Sequence, residues 1–284
     1  MKAPQFDYVK PRSLDAVFTL LERQAEGARI IAGGQTLLAT LNMRLSEPKL
    51  LIDIGAVPGL SGISLQERCV RIGAMTRHSE IEESHLVAQH MPLLAITAPY
   101  IAHKAIRNKG TLGGSIAFAD PAAEWPCIAL ALGASIVLAS KRGLRRVNAS
   151  LFFKDLYTTD MAADEIIVAC EFPLQAANTR CAFDELARRQ GDYAIVGLAA
   201  VAQVSDNKLS NLRLVFLGVG NTPVRATQAE RALEGRELSA EALASAKLAL
   251  ASDIAPTGDL YSSAAMKMHL ATVLLGRLLT SLTL

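Results

Sequence analysis

The 284-residue chain is 51% hydrophobic, 20% charged and 5% aromatic, with a net charge of +2. That length suits one large domain or two modest ones around a substantial core, and the composition excludes a disordered chain. The near-neutral charge supplies no strong field for nucleic acid or an anionic membrane.

Ser13 to Gln24 places Leu14, Val17, Phe18 and Leu21 at helical spacing, with Ser13 as N-cap and Gly27 as the stop. Arg29 to Ala32 reads as a short buried strand running into Gly33-Gly34. A helix over Thr36 to Leu45 and a strand over Lys49 to Ile54 complete a compact β/α unit. Short strands follow between Leu60 and Ile72, and Cys69 to Gly73 is the clearest. Helices are expected at Arg77 to Glu83 and Pro92 to Ile101. A second glycine-rich loop, Arg107 to Ser115, precedes a helix over Pro121 to Leu132. Ala134 to Ala139 and Arg146 to Ala149 form a hairpin around Lys141-Arg142-Gly143, and Ile166 to Phe172 closes the region at Pro173. Beyond it, Ala194 to Val204 and Leu209 to Leu217 are β-rich runs joined by Ser205-Asp206-Asn207-Lys208. Helices over Ala226 to Leu233, Ala240 to Ser252 and Ser262 to Leu282 end the chain, and a boundary is placed near residue 175.

Four cysteines (Cys69, Cys127, Cys170, Cys181) are too few for a disulfide framework and none forms a C-x-x-C pair. Neither structural zinc nor an iron–sulfur cluster is therefore expected in this chain. Met1 to Asp7 lacks the apolar run of a secretory signal, and Ile128 to Ala139 is shorter than the roughly 20 residues of a membrane span. A soluble, cytoplasmic protein is expected.

The two Gly-Gly pairs carry the chemistry. Glycines after a strand present consecutive backbone N–H groups with no Cβ to block a phosphate. Gly33-Gly34 leads into Gln35 and Thr36, and Gly113-Gly114 lies between Thr111 and Ser115. One such pair is as well read as a turn needing positive φ. Two of the same make suggest a diphosphate held between them. Asp120-Pro-Ala-Ala-Glu124 offers a carboxylate for a ribose hydroxyl, or simply helix N-terminal charge with Pro121 at the first position.

Ala32-Gly-Gly-Gln-Thr36 with Asn42-Met-Arg44 resembles the first FAD loop of molybdenum hydroxylase flavoprotein subunits. Ile106-Arg-Asn-Lys-Gly-Thr-Leu-Gly-Gly-Ser115 and Ala119-Asp-Pro-Ala-Ala-Glu124 resemble that family's second loop. Ala187-Arg-Arg-Gln-Gly-Asp-Tyr-Ala194 is similar to its segment beside the flavin ring. The likeness runs nearly end to end, as in the medium subunit of bacterial carbon monoxide dehydrogenase and the flavin domain of xanthine dehydrogenase.

The resemblance implies an α+β fold. A two-subdomain FAD-binding domain of the vanillyl-alcohol oxidase/para-cresol methylhydroxylase type would span 1–175, with halves of about 1–55 and 56–175. A C-terminal α+β domain of antiparallel sheet plus helices would span 176–284. Ile30, Ile31, Ala32, Gly33, Gly34, Gln35, Thr36 and Leu37 would wrap one side of the FAD diphosphate. Thr111, Leu112, Gly113, Gly114 and Ser115 would wrap the other. Glu124 matches an acidic position on the ribose, Ile101 and Ile167 match apolar contacts, and Tyr193 stands beside the isoalloxazine. Ser115 replaces an Asn of many relatives, and Gln35 a His or Thr of some. Asp184 falls where animal xanthine enzymes carry a lysine near the flavin, so a cation is missing there. No cysteine-bearing insertion of the benzoyl-CoA-reductase branch is present, and no His or Cys in either glycine loop suggests a covalent flavin.

By the same resemblance, a large partner subunit would hold molybdopterin and a small one two [2Fe-2S] clusters, the assembly being a dimer of heterotrimers. Electrons would reach an external acceptor through FAD here. The alternatives are a self-contained NAD(P)H-dependent flavin reductase of the same broad fold and a non-catalytic nucleotide-binding scaffold.

Other motifs read as structure. Leu217-Gly-Val-Gly-Asn-Thr-Pro223 lacks a third glycine, and Pro223 opposes a helix start, so it is a hairpin or loop. There is no P-loop, no G-x-S-x-G elbow, and no H-E-x-x-H among His78, His85, His90, His103 and His269. Lys104, Arg107 and Lys109 either help neutralise a diphosphate or form a solvated loop. Arg188-Arg189 either steadies the Gly191-Asp192-Tyr193 loop or pairs with a partner. The last helix packs on its own domain or offers a partner groove.

Overall fold

The computed structural model describes residues 2–24, 27–206 and 208–283. Asn207 of the expected hairpin turn lies outside the described residues.

The chain opens with β1 (Asp7–Val9), α1 (Leu14–Arg23), β2 (Ala28–Ile31), α2 (Leu37–Asn42) and β3 (Leu50–Asp53). The strands form a parallel sheet in the order β1-β3-β2, with α1 as crossover. Ser13 caps α1 by accepting from Ala16 N at 3.3 Å, a contact worth about 1 kcal/mol in comparable helices. Val17, Phe18 and Leu21 of α1 bury against Leu50, Ile52 and Ile54. β1 was not expected, because its three residues are all exposed and carry no apolar alternation.

The second unit is built on the antiparallel sheet β4-β5-β10-β6-β7. Its strands are β4 (Ile63–Leu65), β5 (Cys69–Gly73), β6 (Ser135–Ser140), β7 (Gly143–Asn148) and β10 (Ile166–Pro173). Between β5 and β6 run six helices: α3 (His78–Glu82), α4 (His85–His90), α5 (Pro92–Thr97), α6 (Lys104–Arg107), α7 (Leu112–Phe118) and α8 (Glu124–Leu132). A short α9 (Ala149–Phe152) and the pair β8 (Phe153–Asp155) and β9 (Thr158–Thr159) lie between β7 and β10. Two expectations are corrected here. The second glycine pair belongs to the first turn of α7 rather than to a loop. Pro121 precedes α8 instead of starting it, and its carbonyl accepts from Gly218 N at 2.9 Å.

The third unit is the antiparallel sheet β11 (Thr179–Ala187), β12 (Ala194–Ser205), β13 (Lys208–Leu217) and β14 (Val224–Arg225). Helices α10 (Thr227–Leu233), α11 (Ala240–Leu250) and α12 (Ala264–Thr283) cover one face. Ala271, Leu274, Leu275, Leu278 and Leu279 of α12 bury in that core, so this helix packs on its own unit. The opposite face meets α5 and α8, where Phe183, Ala199, Val201 and Val215 join the core of the second unit around Trp125. The three units thus share buried surface, and the ends of their elements surround one cleft. No helix among the described residues is long and apolar enough to cross a membrane.

Candidate functional site

β2 ends at Ile31, and the chain turns through Gly33-Gly34 into α2. Gly34 has φ +72°, a left-handed conformation that a Cβ would strain. Gly33 is required for a different reason. A Cβ there would lie 2.2 Å from the carbonyl oxygen of Lys109 and 2.8 Å from the Gly110 Cα. The first glycine turn therefore touches the approach to the second, and the two face each other. Among the described residues, the backbone N–H groups of Gly33, Gly34, Gln35, Thr36 and Leu37 donate to no other group of the protein. Gln35 Nε2 bonds back to Gly33 O at 3.1 Å, which leaves its side-chain oxygen open. Five adjacent undonated N–H groups at a glycine turn make an anion-binding concavity.

The second turn differs. An isolated bridge joins Thr111 to Arg77, and His78 N donates to Gly110 O at 3.0 Å. The N–H groups that open α7 already have partners inside the protein. Leu112 N donates to Thr76 O (3.0 Å), Gly113 N to Ala74 O (2.8 Å), Gly114 N to Thr111 Oγ1 (3.2 Å) and Ser115 N to Thr111 O (3.1 Å). What remains toward the cleft is hydroxyl chemistry from Thr111 and Ser115, and a close approach over Gly114. A Cβ at Gly114 would meet Thr111 Oγ1 at 2.9 Å and the Ala32 Cβ at 3.7 Å.

Between the turns lies a cleft of about 590 Å³, inside the roughly 300–1,000 Å³ range of small-molecule sites. Of the site residues expected from sequence, Ile30, Ala32, Gly33, Gly34, Gln35, Thr36, Leu37, Ile101, Thr111, Gly113, Gly114, Ser115, Glu124, Ile167 and Tyr193 line it. Three do not. Ile31 packs beneath Gly34, and Leu112 is wholly buried. Asp184 follows the strand alternation to the α12 face of the third sheet, 3.8 Å from Arg277 Nη1. The carboxylate that stands in place of the lysine therefore does not enter the cleft lining.

Several other lining residues, among them His78, Phe118, Tyr157, Met161 and Ile166, had no local sequence signal as ligand-facing groups. His78 is one of five histidines outside any H-E-x-x-H motif. Phe118 and Tyr157 form a tilted aromatic pair (centroids 4.9 Å apart), with Tyr157 contributed from the β8–β9 turn. Ile166 and Met161 add apolar wall, while Asp120 and Asp192 add carboxylates. Of the basic residues left open, Arg107 is a structural clamp. Its Nε bonds Glu82 at 2.7 Å, and its Nη1 bonds the carbonyls of Ile101 (3.1 Å) and Ala102 (2.9 Å). Neither Lys104 nor Lys109 lines the cleft, and Lys104 stands 4.0 Å from Glu83.

Glu124 opens α8 at the cleft floor, and burial pushes its carboxyl up to about 7. Glu185 of β11 lies behind it. Burial first, then the Glu124 charge, raise Glu185 to about 8, and its Oε2 has no hydrogen-bond partner. Burial raises Asp120 as well, against a bond from Ala122 N at 2.9 Å. A carboxyl held partly protonated in this way can both accept and donate a hydrogen bond.

Tyr193 stands at the mouth, 66% exposed. Its loop is held from two sides. Gly191 (φ +85°) presses on the His103 ring, 2.5 Å from where a Cβ would stand, and Arg188 lies over the Tyr261 ring at 4.6 Å. Arg188 thus steadies this loop from the third unit.

A cleft between two facing glycine turns, with free amides at one end, is the architecture of an extended-dinucleotide site. Comparison with known proteins agrees. Residues 4–175 match the model of the FAD binding domain in molybdopterin dehydrogenase, and 181–282 that of the CO dehydrogenase flavoprotein C-terminal domain. The chain is 38% identical to the 6-hydroxypseudooxynicotine dehydrogenase complex subunit alpha of Paenarthrobacter nicotinovorans, over 98% of this chain and 95% of that one. It is 34% identical to the carbon monoxide dehydrogenase medium chain of Hydrogenophaga pseudoflava, over 99% and 98%. A solved structure of carbon monoxide dehydrogenase from Hydrogenophaga pseudoflava superposes with a TM-score of 0.96 at 36% identity, covering 99% of this chain and 98% of that one. The chain belongs to the FAD-binding medium subunits of the carbon monoxide dehydrogenase/xanthine dehydrogenase family. Its relatives are subunits of oxidoreductases.

Proposed function

We propose that this chain is the electron-transfer subunit of a molybdenum-containing hydroxylase. It receives electrons from the [2Fe-2S] clusters of a small partner subunit and delivers them to an external acceptor. The hydroxylation itself takes place in a large molybdopterin-bearing subunit, within a dimer of heterotrimers. FAD, when bound, supplies the redox chemistry, since it exchanges electrons singly or in pairs.

The chain's own residues bind, orient and shield that cofactor. Residues 1–175, with halves 1–55 and 56–175, form the binding unit, and 176–284 closes it. Backbone N–H groups from Gly33 to Leu37 hold diphosphate oxygens. Thr111 and Ser115 contribute hydroxyls from the facing wall, and Gly114 permits close approach. Glu124 engages a sugar hydroxyl. Ile101 and Ile167 exclude water, and Tyr193 borders the exposed edge of the ring system. The observation that carries this reading is the row of five undonated amides facing the second glycine turn across the cleft.

The test is purification of the tagged chain from its native host. The expected result is a flavin absorption band together with a larger, molybdenum-containing and a smaller, iron-containing subunit. NADPH oxidation by the chain alone, without those companions, would replace this reading with a self-contained flavin reductase.

A further inference from the structure

His78 begins α3, and its side chain lines the cleft although only 5% of the residue is exposed. Trp125 Nε1 donates to His78 Nδ1 at 2.9 Å, the only side-chain hydrogen bond of His78 among the described residues. An indole nitrogen donates and never accepts, so Nδ1 carries no proton and Nε2 carries it. The ring stays neutral, because burial first and Arg107 second push its pKa down to about 4. The Nε2 edge faces Gly110, where a Cβ would stand 2.6 Å from Nε2 and 2.8 Å from Cδ2. Gly110 in turn abuts Gly33. The Nε2–H group therefore stands beside the contact between the two glycine turns. It lies on the wall where the backbone donors from Leu112 to Ser115 already have protein partners.

We infer that His78, locked as the Nε2–H form, donates a hydrogen bond to an oxygen of the bound FAD at the junction of the two glycine turns. Trp125 is the positioning residue that fixes this tautomer. The inference rests on the FAD-binding reading and assigns a donor to the wall where the amides from Leu112 to Ser115 are already used. A neutral donor achieves this without a second buried cation near Arg107.

The test uses the full chain co-expressed with its partner subunits. FAD is titrated into the deflavinated complex, and the chain, labelled with nitrogen-15 at histidine, is followed by NMR. His78→Phe is expected to weaken FAD binding about tenfold or more, the usual cost of one lost donor to an anionic acceptor. His78→Gln, whose amide nitrogen falls near the Nε2 position, is expected to recover most of that loss. In the wild type, Nδ1 should show as the bare nitrogen before FAD is added, and the Nε2 proton should shift when it is. Trp125→Phe should abolish the tautomer preference.

FAD binding within twofold of wild type in His78→Phe, or an Nδ1–H tautomer, overturns the inference. If His78→Phe fails to fold, the glutamine variant and the wild-type spectra decide on the same terms. A wild-type complex with no affinity for FAD would instead strike the family-level reading, a result distinct from either.

Discussion

The turn after β2 and the turn into α7 carry the same Gly-Gly pair, yet they use their backbone donors differently. In the first, five consecutive N–H groups from Gly33 to Leu37 have no partner among the described residues, and the following helix has no side-chain cap at Thr36. In the second, every N–H from Leu112 to Ser115 is satisfied, two of them by carbonyls of the Ala74–Thr76 segment. One turn is left open for a ligand, and the other is closed on its own scaffold. A Gly-Gly pair thus marks close backbone approach in both places: Gly33 meets the backbone of Lys109 and Gly110, and Gly113 meets Ala74 just past β5.

The most damaging change is expected on the closed side. Gly114→Leu places a branched side chain between Thr111 and Ala32, and should abolish flavin content while circular dichroism stays native. Flavin content at the wild-type level would mean that the cofactor does not pass over α7. Gly33→Ala should come next. Its methyl meets the Lys109 carbonyl at 2.2 Å, so the turns must part at a cost of about 1–3 kcal/mol. Both the melting temperature and FAD affinity should fall.

The carboxyl floor predicts a pH dependence of the FAD-free protein. Glu124 (about 7) and Glu185 (about 8) are both raised above their unfolded values. Their contribution is therefore complete below about pH 4.5 and is lost as pH climbs through 7 and 8, by on the order of a few kcal/mol. Urea titrations at pH 5 and pH 8 should show it, and Glu185→Gln should flatten the curve. An unchanged slope would place the raised carboxyls elsewhere.

The smallest pair of effects separates the two turns most directly. Thr111→Val removes the α7 cap and should cost about 1 kcal/mol of stability. Thr36→Val, with no cap to lose, should leave the melting temperature within error and lower FAD affinity severalfold. If the two valines behave alike, the contrast between open and closed turns fails.

Much of the frame was readable locally. Ser13, the hairpin at Lys141-Arg142-Gly143 and the long run over Ala194 to Val204 each carry a short-range signal that the structure follows closely. The glycines of α7 were read as loop because glycine is a poor helix former. Their contacts with Ala74 and Thr76, nearly forty residues earlier, decide otherwise. β11 carries no clear sequence signal, because Phe183 alone is buried along it and Arg180, Asp184 and Glu185 interrupt the apolar alternation. Within the site, glycine spacing pointed to the turns. His78 did not stand out, since its meaning depends on Trp125, 47 positions away. Asp184 was drawn toward the cofactor by correspondence with relatives, and strand alternation sends it to Arg277 instead.

The loop bearing Tyr193 is propped by His103 from one unit and by Tyr261 from another. A shortened version ending at Pro173 would therefore keep both glycine turns yet forfeit one lip of the cleft. The portable module for grafting this flavin pocket onto another redox partner is accordingly the whole polypeptide, including the segment that leads into its last helix.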